Sequence, residues 1–239
     1  MVKAASISNE YNGRTYPRLV PAGDSAIVIE LGSGIDLAVN SQIFNLARSI
    51  EAEKLPAIIE LVPTYRSLLV SYDPLVSQYE EMFVLLSELA ANSQVGLVET
   101  TEPTIIELPV VYGGEDGRDL DAVAEHAGLS TQEVIDIHSG IDYHVYMIGF
   151  APGFPYLGGL DERIATPRLK TPRTSIPAGS VGIAESQTGV YPNASPGGWQ
   201  LIGRTAVPLF DMTESSPSLI TPGARVRFIP VESHGSHDE

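Results

Sequence analysis

From Gly149 to Thr205 the chain carries ten glycines and seven prolines. That density forbids long helices, because proline lacks a backbone donor and fixes φ, and it favours short strands joined by defined turns. The run opens with GFAPGFPYLGG (149–159) and passes through PRLKTPRTSIPAGS (167–180). YHVYMIGF (Tyr143 to Phe150) has strand composition, and VPLFDM, SLITPG and ARVRFIP continue the pattern to Pro230. A β-barrel or compact β-sandwich is predicted for this part of the chain.

Ahead of it, helix and strand patterns alternate. SAIVIEL (Ser25 to Leu31) reads as a buried strand, and Asp36 is placed to cap a helix reaching about Lys54, with Val39, Ile43, Leu46, Ala47 and Ile50 at helical spacing. AIIEL (Ala57 to Leu61) and SLLVSYD (Ser67 to Asp73) read as strands around a turn at Pro63. A second helix follows Pro74, with Tyr79, Phe83, Leu86 and Ala90 on one face, and PTIIELPVVY (Pro103 to Tyr112) reads as a further strand. The order β-α-β-β-α-β is that of a ferredoxin-like split βαβ unit, closing near residue 100. Two short helices are predicted between Asp119 and Gly140, the first ended by Gly128 and the second begun by a capping box of Ser130 and Glu133. The chain is thus read as α+β in two domains, 16–100 and 101–232, with flexible ends at 1–15 and 233–239.

With 239 residues, 43% hydrophobic and 18% charged, the chain is ordinary for a globular protein and long enough to bury a sizeable core. Cysteine is absent, which excludes disulfides, thiolate nucleophiles and cysteine-ligated metals. The first residues contain no apolar signal-like region, and no run approaches the roughly 18 consecutive apolar residues of a membrane span, so a cytoplasmic protein is expected. A formal charge of −16 opposes nucleic acid and anionic membranes as partners. Residues 163–227 nevertheless hold seven Lys and Arg against three acids, a local balance of +4 that suits a small anion. Scattered surface cations give the same arithmetic.

Several chemistries lack their residues. Lys3, Lys54 and Lys170 follow Val, Glu and Leu, so no P-loop exists. Gly32 and Gly34 begin a dinucleotide fingerprint that Leu37 breaks, and AGSVG around Ser180 only approximates a nucleophile elbow, leaving both as turns. His234 and His237 lie in the tail without a third ligand, and no bound metal or prosthetic group is evident. His126 sits at a helix end. His138 and His144 flank the entrance to the glycine-rich region, where each either faces a pocket or only completes a hydrogen-bond network.

Arg168 and Lys170 are two residues apart and point to one side of an extended chain; Arg173 joins them only if the chain bends, which Pro172 permits. Proline stiffness lowers the entropy lost on clamping an anion, and the guanidinium fork suits carboxylate or phosphate. Salt bridges to the acidic first domain are the other reading of these cations. In SPGGWQLIG (195–203), Gly197 and Gly198 either let the backbone approach a ligand walled by Tyr191 and Trp199, or turn barrel corners around a core tryptophan.

The run HSGIDYHVYMIGFAPGFPYLGGLDERIATPRLKTPRTSIPAGSVGIAESQTGVYPNASPGGWQLIGRT (138–205) closely resembles the family of the 5-oxoprolinase B subunit, also described as allophanate hydrolase subunit 1 or KipI-type proteins. The resemblance extends over about residues 16–232. It implies a small N-terminal α/β domain, a C-terminal cyclophilin-like β-barrel, and a heteromeric complex with the C subunit, an allophanate hydrolase subunit 2-like chain, and with the A subunit. That complex opens 5-oxo-L-proline to L-glutamate at the expense of ATP, a co-substrate. Carried over by motif, the site comprises His138, Arg168 and Arg173 as catalytic candidates, Tyr156, Lys170, Tyr191 and Trp199 as substrate-binding candidates, and Gly153, Gly179, Gly197 and Gly198 as loop-shaping residues. His144 stands where a small or hydroxylated residue is expected. Related modules imply two alternatives: carboxyl transfer from biotin to urea, with the biotin on another chain, and inhibition of a histidine kinase without turnover.

Overall fold

The computed structural model describes residues 9–11, 14–93 and 104–232. Tertiary contacts divide the chain into two units, residues 1–101 and 102–239. The expected division near residue 100, the tail 233–239 and its His234 and His237 lie outside the described residues.

In the first unit, two short strands, β1 (Asn9–Tyr11) and β2 (Arg14–Tyr16), pair antiparallel, so this part of the end expected to be flexible has regular structure. Then come β3 (Arg18–Pro21), β4 (Ala26–Glu30), α1 (Leu37–Ala52), β5 (Ile58–Pro63), β6 (Ser67–Tyr72) and α2 (Tyr79–Ser93). The alternation read in the sequence sets the inward face: Ile27 and Ile29 of β4 lie opposite Val70 and Leu68 of β6, all four fully buried. Ile43, Leu46 and Ile50 of α1, with Met82, Leu86 and Ala90 of α2, complete this core. Asp36 caps α1 as expected, its carboxylate accepting from the Val39 N–H at 2.9 Å.

The sheet order is β3-β4-β6-β5. Both β4 and β5 run antiparallel to β6, so they are parallel to each other with β6 between them, a split βαβ arrangement through α1. The expectation that residues 103–112 complete this sheet is corrected. Residues 18–21 take the edge beside β4, and the later strand pairs in the second unit. Alternation identifies a strand but carries no information on which sheet receives it.

That strand, β7 (Ile105–Tyr112), opens the second unit. It is followed by α3 (Leu120–Ala127), α4 (Thr131–Ser139), β8 (Asp142–Ile148), β9 (Pro155–Gly158), β10 (Arg173–Ile176), β11 (Ser180–Ala184), β12 (Gln187–Val190), β13 (Ser195–Gly197), β14 (Gln200–Arg204) and β15 (Arg225–Pro230). Gly128 ends α3 in the left-handed conformation, and Ser130 with Glu133 forms the expected capping box of α4.

Seven strands close a barrel in the order β11-β12-β9-β8-β15-β7-β14. An odd ring cannot alternate direction all the way round, so at least one neighbouring pair must be parallel. Here β7 and β15 are that pair, and the other pairings are antiparallel. Leu108 and Val110 of β7 and Val226 and Phe228 of β15 point into the core, where Val123 and Ala124 of α3 and Val134 of α4 also pack. β10 and β13 form a separate two-stranded sheet. Among the described residues no helix is long and apolar enough to cross a membrane.

Candidate functional site

The cation-bearing segment is held against the start of β14 by hydrogen bonds. The Leu169 N–H donates to the Gly198 carbonyl at 2.7 Å, and Gln200 Nε2 donates to the Pro167 carbonyl at 2.9 Å. Leu169 is half-buried between Arg168 and Lys170, which are both exposed. This matches the parity of an extended chain.

Arg173 is in a different environment. Its Nη1 and Nη2 donate to the two Asp119 carboxylate oxygens at 2.9 and 2.7 Å, and Nη1 also reaches the Trp199 carbonyl at 3.4 Å. Asp119 stands at the N-terminus of α3 yet makes no side-chain cap. Its Oδ2 instead accepts the Leu201 N–H at 2.6 Å, while its own N–H donates to the Leu201 carbonyl at 2.8 Å. One buried carboxylate therefore ties α3, β14 and the first residue of β10 together. In the sequence Asp119 reads only as the start of a helix, and no local signal announces a partner 54 residues away.

Beside this pair lies an aromatic cluster. Phe154, Tyr191 and Trp199 are almost fully buried with Ile176 and Leu201, and Tyr156 packs on them. Phe154 meets Tyr156, Tyr191 and Trp199 edge-on at 5.2, 5.4 and 5.7 Å between ring centroids. The turn GFAPGFP positions Phe154: Gly153 has φ +80, and a Cβ there would fall 2.8 Å from that of Phe210. Phe150, in the left-handed region at φ 64, remains exposed and stands edge-on to Phe154 at 5.4 Å.

The Tyr191 hydroxyl links the cluster to the cations. Burial pushes its pKa up to about 12, against Arg168, a backbone hydrogen bond from Trp199, and Arg173, which pull it down. Gly197 lies directly over this phenol, and the Gly179 N–H donates to the main-chain carbonyl of Tyr191 at 2.7 Å. At φ +79, with the Thr205 carbonyl oxygen 2.0 Å from a built Cβ, Gly179 admits no side chain. Gly198 differs: a Cβ would meet nothing closer than Pro172 Cγ at 3.6 Å, so its contribution is the carbonyl that holds Leu169.

The local positive balance is largely spent within the same unit. Arg163 pairs with Asp161, Arg173 with Asp119, Arg204 with Asp116, and Arg227 with Asp142 and Glu107. These partners belong to the second unit, whereas the charge pattern of the sequence points to the first. Arg168 and Lys170 make no ion pair among the described residues, and Arg168 acts electrostatically on Tyr191 of the aromatic cluster.

His138 requires a correction. It is fully buried inside the barrel, stacked on Phe228 at 4.6 Å, and both ring nitrogens are engaged. The Thr188 hydroxyl donates to the Gly182 carbonyl, so it accepts from Nε2–H at 2.9 Å, and Nδ1 then accepts from the Tyr112 hydroxyl at 2.8 Å. Burial pushes the imidazole pKa down to about 3, which keeps it neutral. His138 is a core hydrogen-bonding residue with no access to a solvent-borne reactant. His144, half-buried on β8, is held below the usual imidazole pKa by burial and by Arg225.

A cleft of about 130 Å³ shares Leu201 with the aromatic cluster and is lined also by Glu115, Asp116, Arg118, Ser180 and Arg204. None of Arg168, Lys170 or Arg173 lines it. Its two arginines face two carboxylates, Arg204 and Asp116 at 3.7 Å, so it holds no excess charge for an anion. Among the described residues no group of three or more His, Asp or Glu is arranged to hold a metal ion.

Comparison with known proteins places this chain in a family. The family model for the carboxyltransferase domain, subdomain C and D, matches residues 17–220. The chain is 45% identical over 229 residues to the B subunit of 5-oxoprolinase from Bacillus subtilis (strain 168), covering 90% of this chain and 93% of that one. A urea amidolyase of Lachancea kluyveri is 27% identical over 241 residues, which are 88% of this chain but 13% of that protein. Among solved structures, TTHA0988 superimposes with a TM-score of 0.75 at 35% identity, covering 87% of this chain and 40% of its own. On this extended likeness, the chain belongs to the family of the carboxyltransferase domain, subdomain C and D, among the relatives of the 5-oxoprolinase B subunit.

Proposed function

We propose that this chain is the B subunit of an ATP-dependent 5-oxoprolinase, working in the cytoplasm, where ATP is supplied, together with the A and C subunits. The observation that carries this reading is the near full-length likeness to the 5-oxoprolinase B subunit of Bacillus subtilis. On this reading the closed barrel is cyclophilin-like and serves as the frame on which the site is mounted.

The reaction consumes 5-oxo-L-proline, ATP and two molecules of water and yields L-glutamate, ADP and phosphate. A lactam carbonyl is a poor electrophile. Transfer of the γ-phosphoryl group to its oxygen activates the carbon; water adds there, the ring C–N bond breaks and the nitrogen takes up a proton, leaving γ-glutamyl phosphate, which a second water hydrolyses to glutamate and phosphate. Substrate carboxylate and transferring phosphoryl are both anionic, so the site needs fixed cations beside an apolar surface. Arg168 and Arg173, which act on Tyr191 in the cluster of Tyr156, Tyr191 and Trp199, offer that combination, with Lys170 two residues from Arg168 as a further cation. The chain has no P-loop, which assigns the nucleotide grip to a partner or to another kind of site.

The test is reconstitution. The chain mixed with the A and C subunits, ATP and 5-oxoproline is expected to form glutamate and ADP in equal amounts, and a complex that forms neither overturns the reading. The urea amidolyase likeness favours a second reading, carboxyl transfer to urea. Urea-dependent consumption of carboxybiotin without glutamate formation would support it. Inhibition of a histidine kinase with neither turnover would point to the regulatory relatives.

A further inference from the structure

A guanidinium has two bidentate edges, and the protein uses only one of those on Arg173. Its end fork, Nη1 and Nη2, is occupied by Asp119, and the second Nη1 hydrogen is directed at the Trp199 carbonyl. The side edge, formed by Nε–H and the remaining Nη2–H, donates to nothing among the described residues. The same edge binds carboxylates elsewhere in this chain. Arg227 Nε and Nη2 reach Asp142 at 2.6 and 2.8 Å, and Arg163 Nε and Nη2 reach Asp161 at 3.0 and 2.7 Å. Arg173 therefore presents a two-oxygen port that its own fold leaves open, on a side chain that is 24% exposed.

The port is also fixed in direction. Asp119 is itself held by the Leu201 N–H and by its own N–H on the Leu201 carbonyl, so the carboxylate cannot follow a mobile arginine. A planar fork clamped on one edge has little rotational freedom left for the other. Pairing with Asp119 cancels most of the local charge, so an anion is not drawn here by net charge alone; Arg168, near the same Tyr191 hydroxyl, supplies that attraction.

We propose that Asp119 is a positioning residue that holds Arg173 so that its Nε–Nη2 edge receives the carboxylate of a small cyclic substrate, with Arg168 completing the anion site. This rests on the oxoprolinase reading and deepens it by assigning the 5-oxoproline carboxylate, not the ATP phosphoryl group, to Arg173.

The experiment uses the full chain in the reconstituted complex and compares Arg173→Lys, Asp119→Asn and the double variant. Lysine keeps a charge against Asp119 but has no second edge. Each single variant is expected to raise KM for 5-oxoproline at least about tenfold, leaving KM for ATP and kcat within about twofold, and the double variant to be no worse than either single one, because both remove one port. An unchanged KM for 5-oxoproline in a folded, assembled Arg173→Lys complex overturns the proposal. So does a rise in KM for ATP instead, or a multiplicative effect in the double variant. If Asp119→Asn does not fold, Arg173→Lys alone decides. A wild-type complex that forms no glutamate overturns the oxoprolinase reading. The port is then decided by calorimetric titration of the full chain with 5-oxoproline, whose affinity Arg173→Lys must weaken about tenfold; a wild-type chain that does not bind 5-oxoproline overturns the port as well.

Discussion

Gly197 and Tyr191 are packed without room for a methyl group between them: a Cβ on Gly197 would stand 2.5 Å from the Tyr191 hydroxyl oxygen and 2.6 Å from Ile176 Cδ1. Neither neighbour has space to retreat, since both lie in the buried aromatic cluster. Gly197→Ala is expected to destabilise the protein by about 1–3 kcal/mol through overpacking. Gly198→Ala, with no contact under 3.6 Å, should stay within about 0.5 kcal/mol of wild type. Urea denaturation of the two variants side by side measures the difference, and near-ultraviolet circular dichroism should report the Tyr191 shift only in the first.

Arg168 is exposed and makes no ion pair among the described residues, so its removal leaves no buried charge behind. Arg168→Gln is expected to change stability by less than about 0.5 kcal/mol. Glutamate formation by the assembled complex should nevertheless fall by about tenfold or more, equivalent to about 1.4 kcal/mol of lost transition-state stabilisation. Equal activity in a correctly assembled variant would remove Arg168 from the site.

The buried His138 makes stability depend on pH. Its folded pKa, about 3, lies below the ordinary value of 6.5, so the unfolded chain takes up a proton that the folded one refuses. The stability contributed is present in full above about pH 6.5 and is lost progressively as pH falls toward 3, at up to about 1.4 kcal/mol per pH unit. Between pH 6.5 and 5, before most carboxylates titrate, wild type should lose stability more steeply than His138→Gln. Parallel slopes for the two proteins would contradict the neutral, buried state.

The Asp119–Arg173 pair is largely shielded, with the carboxylate side chain 11% exposed. Asp119→Ala strands a partly buried guanidinium and the Leu201 N–H, and is expected to cost about 3–5 kcal/mol. Removing Arg173 as well should recover part of that loss, since no unpaired charge then remains. Denaturant midpoints for the two single variants and the double variant check this.

Local signals in the sequence are reliable where the physics is local. The Asp36 cap, the Ser130–Glu133 box, the Gly128 terminator and the apolar spacing of Ile43, Leu46 and Ile50 each act within a few residues, and each stands as read. Glycine and proline density likewise announces short strands and a barrel. What escapes depends on distant partners. Ile105–Tyr112 has the alternation of a strand, but its neighbours β15 and β14 begin at Arg225 and Gln200, and those distant pairings take it out of the first sheet. His138 looks accessible at the end of a helix because the barrel that swallows it is assembled from strands far along the chain. Arg173 is legible as an arginine in the right stretch, whereas the carboxylate that aims it is not.

The single parallel seam between β7 and β15 has a kinetic corollary. One of its halves is among the first parts of the barrel to leave a ribosome and the other among the last, so the ring stays a curled open sheet, with bare hydrogen-bonding margins on two strands, for most of its synthesis. Such far-separated pairing slows folding and leaves the unfinished sheet prone to sticking to others like it. A chaperone that shelters nascent β-rich chains should therefore raise the soluble yield of this protein more than that of an equally large helical one.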